Sequence, residues 1–114
     1  MYITADCKFF DSAATAGISE KSIVNGNKGA SIVVEVTGGT GSEIAIQGRI
    51  LPGQGEWHNI GLINMSTLDI AKTISADGIY TGDVNGLCDI RANILNHGGG
   101  NVNVYAKVGY EYGA

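Results

Sequence analysis

Apolar and polar residues alternate with a period of two along most of the chain, and a helical period hardly occurs. Ala30, Ile32, Val34 and Val36 fall on one face of a run whose other face carries Ser31, Val33 and Glu35. Gly38-Gly39-Thr40-Gly41 breaks that run. In the next, Ile44, Ile46 and Ile50 share a face opposite Gln47 and Arg49, and Pro52-Gly53-Gln54-Gly55 ends it. Trp57 to Ile63 follows as a further strand, so these two runs, joined by a short Gly/Pro loop, predict a β-hairpin. The clearest strand is the last: Val102, Val104, Ala106, Val108 and Tyr110 alternate with Asn103, Tyr105, Lys107 and Gly109.

Elsewhere the pattern is shorter. Ile18 to Val24 predicts a strand closed by Asn25-Gly26-Asn27. Residues 1–17 form a poorly patterned arm or edge segment, with a short strand available around Lys8, Phe9 and Phe10. Between Asn64 and Ser75 a single helical turn at Ser66–Asp69 competes with a short edge strand at Ile70–Ile74. Gly78 to Thr81 reads as a strand, Asn85-Gly86 as a tight turn, and Leu87 to Ile94 as the returning strand of a second hairpin. In that return Asp89 and Arg91 take the polar face, and Cys88, Ile90, Ala92 and Ile94 the buried one. Seven or eight short strands with turns at regular intervals predict an all-β fold, an antiparallel β-sandwich of jelly-roll or immunoglobulin-like type over residues 18–114.

Composition supports a single globular domain of many tight turns: 114 residues, 44% of them apolar, with 18 glycines and one proline. The net charge of −4 and the scattered basic residues argue against nucleic-acid binding, which needs a basic footprint. No apolar run approaches the roughly 20 residues that span a bilayer. MYITADCKFFDSAATAG has neither a basic start nor a continuous apolar stretch, so no secretion signal is expected. Cys7 and Cys88 could pair, although a chain kept in the cytoplasm would hold both as thiols.

Candidate chemistry is sparse. Asp77, Asp83 and Asp89 lie six residues apart among glycines, which raises the question of a cation site. A calcium loop needs alternating oxygen ligands and a closing bidentate carboxylate. Asp83-Val84-Asn85-Gly86 supplies only a fragment of that pattern, so the aspartates read as turn residues that do not converge. His58 and His97 have no partner at metal-ligand spacing. TGGTGSE lacks the Gly-Lys-Ser/Thr ending of a phosphate loop, and no G-x-S-x-G elbow occurs. Trp57, the single tryptophan, could stack on a sugar ring or cap the sandwich core. Tyr80 sits in a context similar to the immunoglobulin tyrosine corner, but one residue short of its spacing.

Three phrases together, IAIQGRILPGQGEWHNIG, ISADGIYTGDVNGLCDIRANI and NVNVYAKVGYEY, resemble the small β-sandwich accessory proteins of tailed bacteriophage virions. These are the head-decoration and head-fibre proteins, and the likeness runs over residues 44–110. The resemblance implies a non-enzymatic virion protein bound to the outside of a phage head as an oligomer. Its partners would be the capsid protein and copies of itself, with no cofactor, metal, nucleic acid or membrane. Phe9, Phe10 and Trp57 are the candidate interface residues. The alternatives are a carbohydrate-binding module, which needs Trp57 and a tyrosine exposed on a common face, and a tail or fibre component. A small hydrolase would need a coupled nucleophile and base, which the sequence does not offer.

Overall fold

In the computed structural model the alternating runs become strands whose inward positions meet in one core; residues 2–25 and 30–111 are described. Eleven strands form among the described residues: β1 (Tyr2–Ala13), β2 (Gly17–Ile18), β3 (Ile23–Val24), β4 (Ser31–Thr37), β5 (Glu43–Arg49), β6 (His58–Asn59), β7 (Leu62–Asn64), β8 (Ile70–Ala71), β9 (Gly78–Asp83), β10 (Asp89–Asn96) and β11 (Val102–Glu111). The larger sheet runs β1-β11-β4-β9-β7-β8, and the smaller β2-β10-β5-β6, with β3 also on β10. All pairings are antiparallel. Ile32, Val34 and Val36 of β4, Ile44 and Ile46 of β5, Ile90, Ala92 and Ile94 of β10, and Val102, Val104 and Val108 of β11 fill the space between them, essentially without exposure.

The strand order selects one of the two sandwich types. With β2 and β3 taken as one run and the β7–β8 hairpin as an extension beside β9, the sheets read 1-8-3-6 and 2-7-4-5. That is a jelly roll, in which most connections cross from one sheet to the other. An immunoglobulin sandwich keeps its first two strands in one sheet.

Crossing connections account for the main departures from the sequence reading. Asn85-Gly86 does not close a hairpin: β9 pairs with β4 and β7, whereas β10 pairs with β5, β2 and β3. A two-residue type I′ hairpin needs positive φ at both central positions. Here only Gly86 adopts it (φ 86°), and Leu87 N–H donates to Val84 O at 3.1 Å. Val84 is fully buried, so the turn is a corner that carries the chain across the core. The Trp57–Ile63 run likewise divides: β6 pairs with β5 as the predicted hairpin, and β7 joins the other sheet. Ile18–Val24 divides into β2 and β3 on the same partner. β5 ends at Arg49, with Gly48 in its last inward position, and Ile50 is 69% exposed rather than in line with Ile46. Ala30 precedes β4 and is exposed. A single turn forms slightly earlier than expected, with Leu68 N–H donating to Asn64 O at 2.7 Å across four residues and Asn64 Oδ1 accepting from Ser66 N–H at 2.9 Å; Ile70–Ala71 is the edge strand, so both local features occur. The predicted Gly26-Asn27 turn lies outside the described residues.

Glycine has its own task at one end of the sandwich. The β4–β5 and β10–β11 loops touch backbone to backbone there: a Cβ on Gly98 would overlap the Gly41 carbonyl and sit 2.8 Å from the Ser42 amide nitrogen. Ser42 Oγ accepts the Gly98 N–H at 2.9 Å, and the Asp77 carboxylate accepts Gly38 N–H and Gly39 N–H at 3.1 and 2.7 Å. TGGTGSE is therefore a packing surface for NHGGGN. Gly98→Ala should lower the free energy of unfolding by about 1–3 kcal/mol, as overpacking against unyielding backbone does. Urea unfolding measures this, and a loss below about 0.5 kcal/mol, the range of neutral surface changes, would show that the two loops do not interlock.

Candidate functional site

The outer face of the smaller sheet carries a cluster that the β5–β10 register assembles. Arg49 lies opposite Asp89, Arg91 opposite Gln47, and Gln47 opposite Asn59 of β6. Trp57 precedes Asn59 by two residues and so takes the same face. The guanidinium carbons of Arg49 and Arg91 lie 4.3 and 4.2 Å from the Trp57 ring centroid. These are the chain's only two arginines and its only tryptophan. Stacking of this kind contributes about 0.5–1 kcal/mol per pair when partly exposed.

Each guanidinium is oriented from below. Arg49 Nε donates to Asp89 Oδ2 at 2.8 Å, and Arg91 Nε donates to Gln47 Oε1 at 2.9 Å. Gln47 Nε2 in turn donates to Asn59 Oδ1 at 3.0 Å. Asp89 also accepts Gly53 N–H at 3.1 Å, which ties the β5–β6 loop to the sheet. It belongs to the outward face by parity, as expected, yet only 7% of it is exposed, because Arg49 and that loop cover it. Burial pushes the Asp89 carboxyl up, but the Gly53 N–H and Arg49 outweigh that and hold it below the usual aspartate value. Burial and the neighbouring positive charge of Arg49 lower the Arg91 value from its usual one. Beside the cluster a groove of about 690 Å³ shares Arg49 and is lined by Ile50, Leu51, Ile60 and Leu87.

The larger sheet is different outside. Its outward positions include Val33, Ile63, Ile70 and Ile79, exposed by 42, 37, 75 and 44%. The register sets them on one face: Ile70 opposite Ile63, Thr81 between Ile63 and Val33, and Ile79 one pleat along, opposite Glu35.

The residues singled out in the sequence are dispersed over this frame. Phe9 and Phe10 belong to β1, the edge strand on β11. Phe9 is the extra residue of a bulge between Lys8 and Phe10 and is buried in the core, with Phe10 packed partly against it. Trp57 stands over the outer face of the opposite sheet, half-buried, with its ring engaged by two guanidinium groups. The three aspartates serve three separate turns: Asp77 the Gly38-Gly39 loop, Asp83 its own turn through Asn85 N–H at 2.8 Å, and Asp89 the Gly53 loop. His58 is exposed. His97 accepts Gly99 N–H at Nδ1 (3.2 Å), so Nε2 carries the proton that reaches Ala13 O at 3.0 Å. Cys7 and Cys88 are free thiols, and burial raises the Cys7 pKa, with nearby Lys21 lowering it in part. The Tyr80 hydroxyl donates to Ala76 O at 2.7 Å, a corner-like contact made without the immunoglobulin topology. Alternation puts Arg49, Gln47, Asp89 and Arg91 on polar faces but does not join them, because it carries no strand pairing. The one available signal was that both arginines share outward parity with strands flanking the single tryptophan.

The depressed Asp89 value has a fixed sign. Its stabilisation is complete above the ordinary aspartate value near ~3.9 and disappears as pH falls through the lower folded value. Asp89→Asn should therefore cost about 2 kcal/mol at neutral pH, the scale of hydrogen bonds to a charged group, and progressively less below about pH 4. Unfolding curves of both proteins across that range test this; a gap that stays constant into acid would remove the ion pair from the account.

No protein-family model and no curated protein matches the sequence. Solved structures do match the fold. The SPBc2 prophage-derived protein YomS superposes with a TM-score of 0.80 at 18% identity, over 96% of this chain and 95% of that one. The PBSX exported protein XepA gives 0.82 at 23% identity over 95% of this chain; the chain spans 38% of XepA. A protein of Bacillus endospore appendages, described as disulfide-linked pili, gives 0.50 at 15% identity over 96% of this chain and 84% of that one. The all-β sandwich is thus the fold of prophage-derived proteins, as the sequence resemblance to tailed-phage accessory proteins implied.

Proposed function

We propose that this chain is a non-enzymatic structural protein of a phage virion, and specifically a decoration protein held on the outside of the head as an oligomer. The fold likeness to YomS and XepA supports the phage setting. The observation that carries the binding role is the outer face of the larger sheet. Val33, Ile63, Ile70 and Ile79 stand uncovered there, in a chain whose inward positions are otherwise closely filled. Several large aliphatic side chains left uncovered on one face, interspersed with Thr81, Glu35 and Lys107, suit a contact with another protein.

As a clamp, the protein would lay this face across neighbouring capsid subunits and bind only their assembled arrangement. Binding one state and not the other stabilises it by mass action, without catalysis. The net charge of −4 disfavours adhesion to packaged DNA. β1 suits a defined assembly rather than open-ended edge pairing: its two register shifts, with Ser12 at φ 58° and its N–H on Asn103 Oδ1 at 2.9 Å, distort the free edge.

Sedimentation with purified phage heads tests the reading. The wild-type protein should pellet with intact heads and saturate, whereas a Val33→Lys/Ile79→Lys double variant, unchanged in thermal unfolding, should stay at least tenfold more in the supernatant. A wild-type protein that remains soluble beside intact heads, or that pellets only with tails, would overturn the decoration role.

A further inference from the structure

We infer that the Arg49–Trp57–Arg91 cluster is a second contact site, built to receive a carboxylate side chain flanked by apolar residues on a partner protein. The inference rests on the virion reading for the partner's identity, and on the geometry of this face for its chemistry.

Positive charge is scarce in this chain: seven basic residues, five of them lysines, against eleven acidic ones. Both arginines nevertheless meet on one indole. Two guanidinium groups held that close together repel one another, and within salt-bridge distance of them among the described residues there is one carboxylate, Asp89, paired with Arg49. Glu56 lines the groove beyond Arg49 without pairing. The cluster therefore carries one unmatched positive charge on a molecule that is negative overall, which is the electrostatic complement of a single carboxylate.

Hydrogen bonding points the same way. Both arginines spend Nε on an internal acceptor, and the Nη nitrogens of each make no hydrogen bond among the described residues. A guanidinium whose position is fixed by stacking and by Nε presents its remaining donors in the planar fork that carboxylates match. Because the ladder Asn59–Gln47–Arg91 and the pair Asp89–Arg49 already hold both groups, little rotamer freedom remains to be lost on binding. Tryptophan and arginine are also the residues that most often dominate protein interfaces.

The surroundings select a protein segment over other anions. Ile50 and Leu51 follow Arg49 directly, are 69 and 47% exposed, and line the adjoining groove with Ile60 and Leu87. Apolar side chains on either side of the carboxylate would cover them, which inorganic phosphate or a sugar acid cannot do. A polyanionic membrane surface would meet the chain's net −4 charge.

Trp57, as the only tryptophan, reports occupancy through its fluorescence. The probes are the blocked peptides Ac-Leu-Glu-Leu-NH₂ and Ac-Leu-Gln-Leu-NH₂, with glucuronate, inorganic phosphate and phosphatidylglycerol vesicles as the other anions. The glutamate peptide should change the Trp57 signal saturably in the millimolar range and bind at least tenfold tighter than the glutamine peptide. Arg91→Gln should abolish that preference and Arg91→Lys should lose most of it, with thermal unfolding confirming that both variants are folded. Absence of a response to the glutamate peptide, equal binding of the two peptides, a preference surviving in Arg91→Gln, or tighter binding of any of the three other anions would each overturn the proposal. Arg91→Gln taken through the head sedimentation separates the two readings. If it pellets as the wild type does, this site fails while the decoration role stands; if the wild type itself does not pellet, the decoration role fails and the peptide titration still decides the site.

Discussion

The register in which β10 lies along β5 governs the rest of the molecule. Setting Ile90 opposite Gly48, Ala92 opposite Ile46 and Ile94 opposite Ile44 sends an aliphatic row into the core. The same register places Asp89 against Arg49 and Arg91 against Gln47 on the other side. A slip of β10 by one residue would turn that strand over, exposing Ile90 and Ile94 and burying Asp89 and Arg91 away from their β5 partners. Core packing and the polar cluster are thus two consequences of one alignment. The Asp89–Arg49 pair and the Gly53 N–H on the same carboxylate oxygen lock its end.

How far the sequence disclosed this structure depended on the range of each interaction. The inward faces of β4, β10 and β11 were legible from alternation, because a half-buried strand sorts its own side chains. The jelly-roll order was not, because pairing partners are distant in sequence: β1 finds β11, and β4 finds β9. Asn85-Gly86 shows local chemistry being overruled. The burial of Val84 and the pairing of β10 with β5 make a corner of a dipeptide that in isolation favours a hairpin. Phe9 shows the same for a bulge, since one inserted residue turned an aromatic assigned to an anchoring arm into the core. The arginine–tryptophan cluster needed three strands in register before it existed at all.

The aspartates at 77, 83 and 89 acquire a common explanation in this light. A sandwich whose chain keeps crossing between sheets has many loops with unpaired backbone N–H groups, and short carboxylates satisfy them. Each of the three does so in a different loop, and their even spacing reflects the length of one strand and one corner. These three carboxylates and the loop glycines brace the ends of the sandwich. One face exposes Val33, Ile63, Ile70 and Ile79, and the other an indole stacked on two guanidinium groups, so the two differ in the chemistry that the proposed clamp would offer its partners.

Cryo-electron microscopy of phage heads saturated with the protein tests that arrangement most directly. The account predicts density on the outer surface of the shell, with the β4–β9 face against capsid and a capsid or neighbouring-copy carboxylate at Arg91. Density in which Val33, Ile79 and Trp57 all face solvent, or heads that carry no additional density, would contradict it.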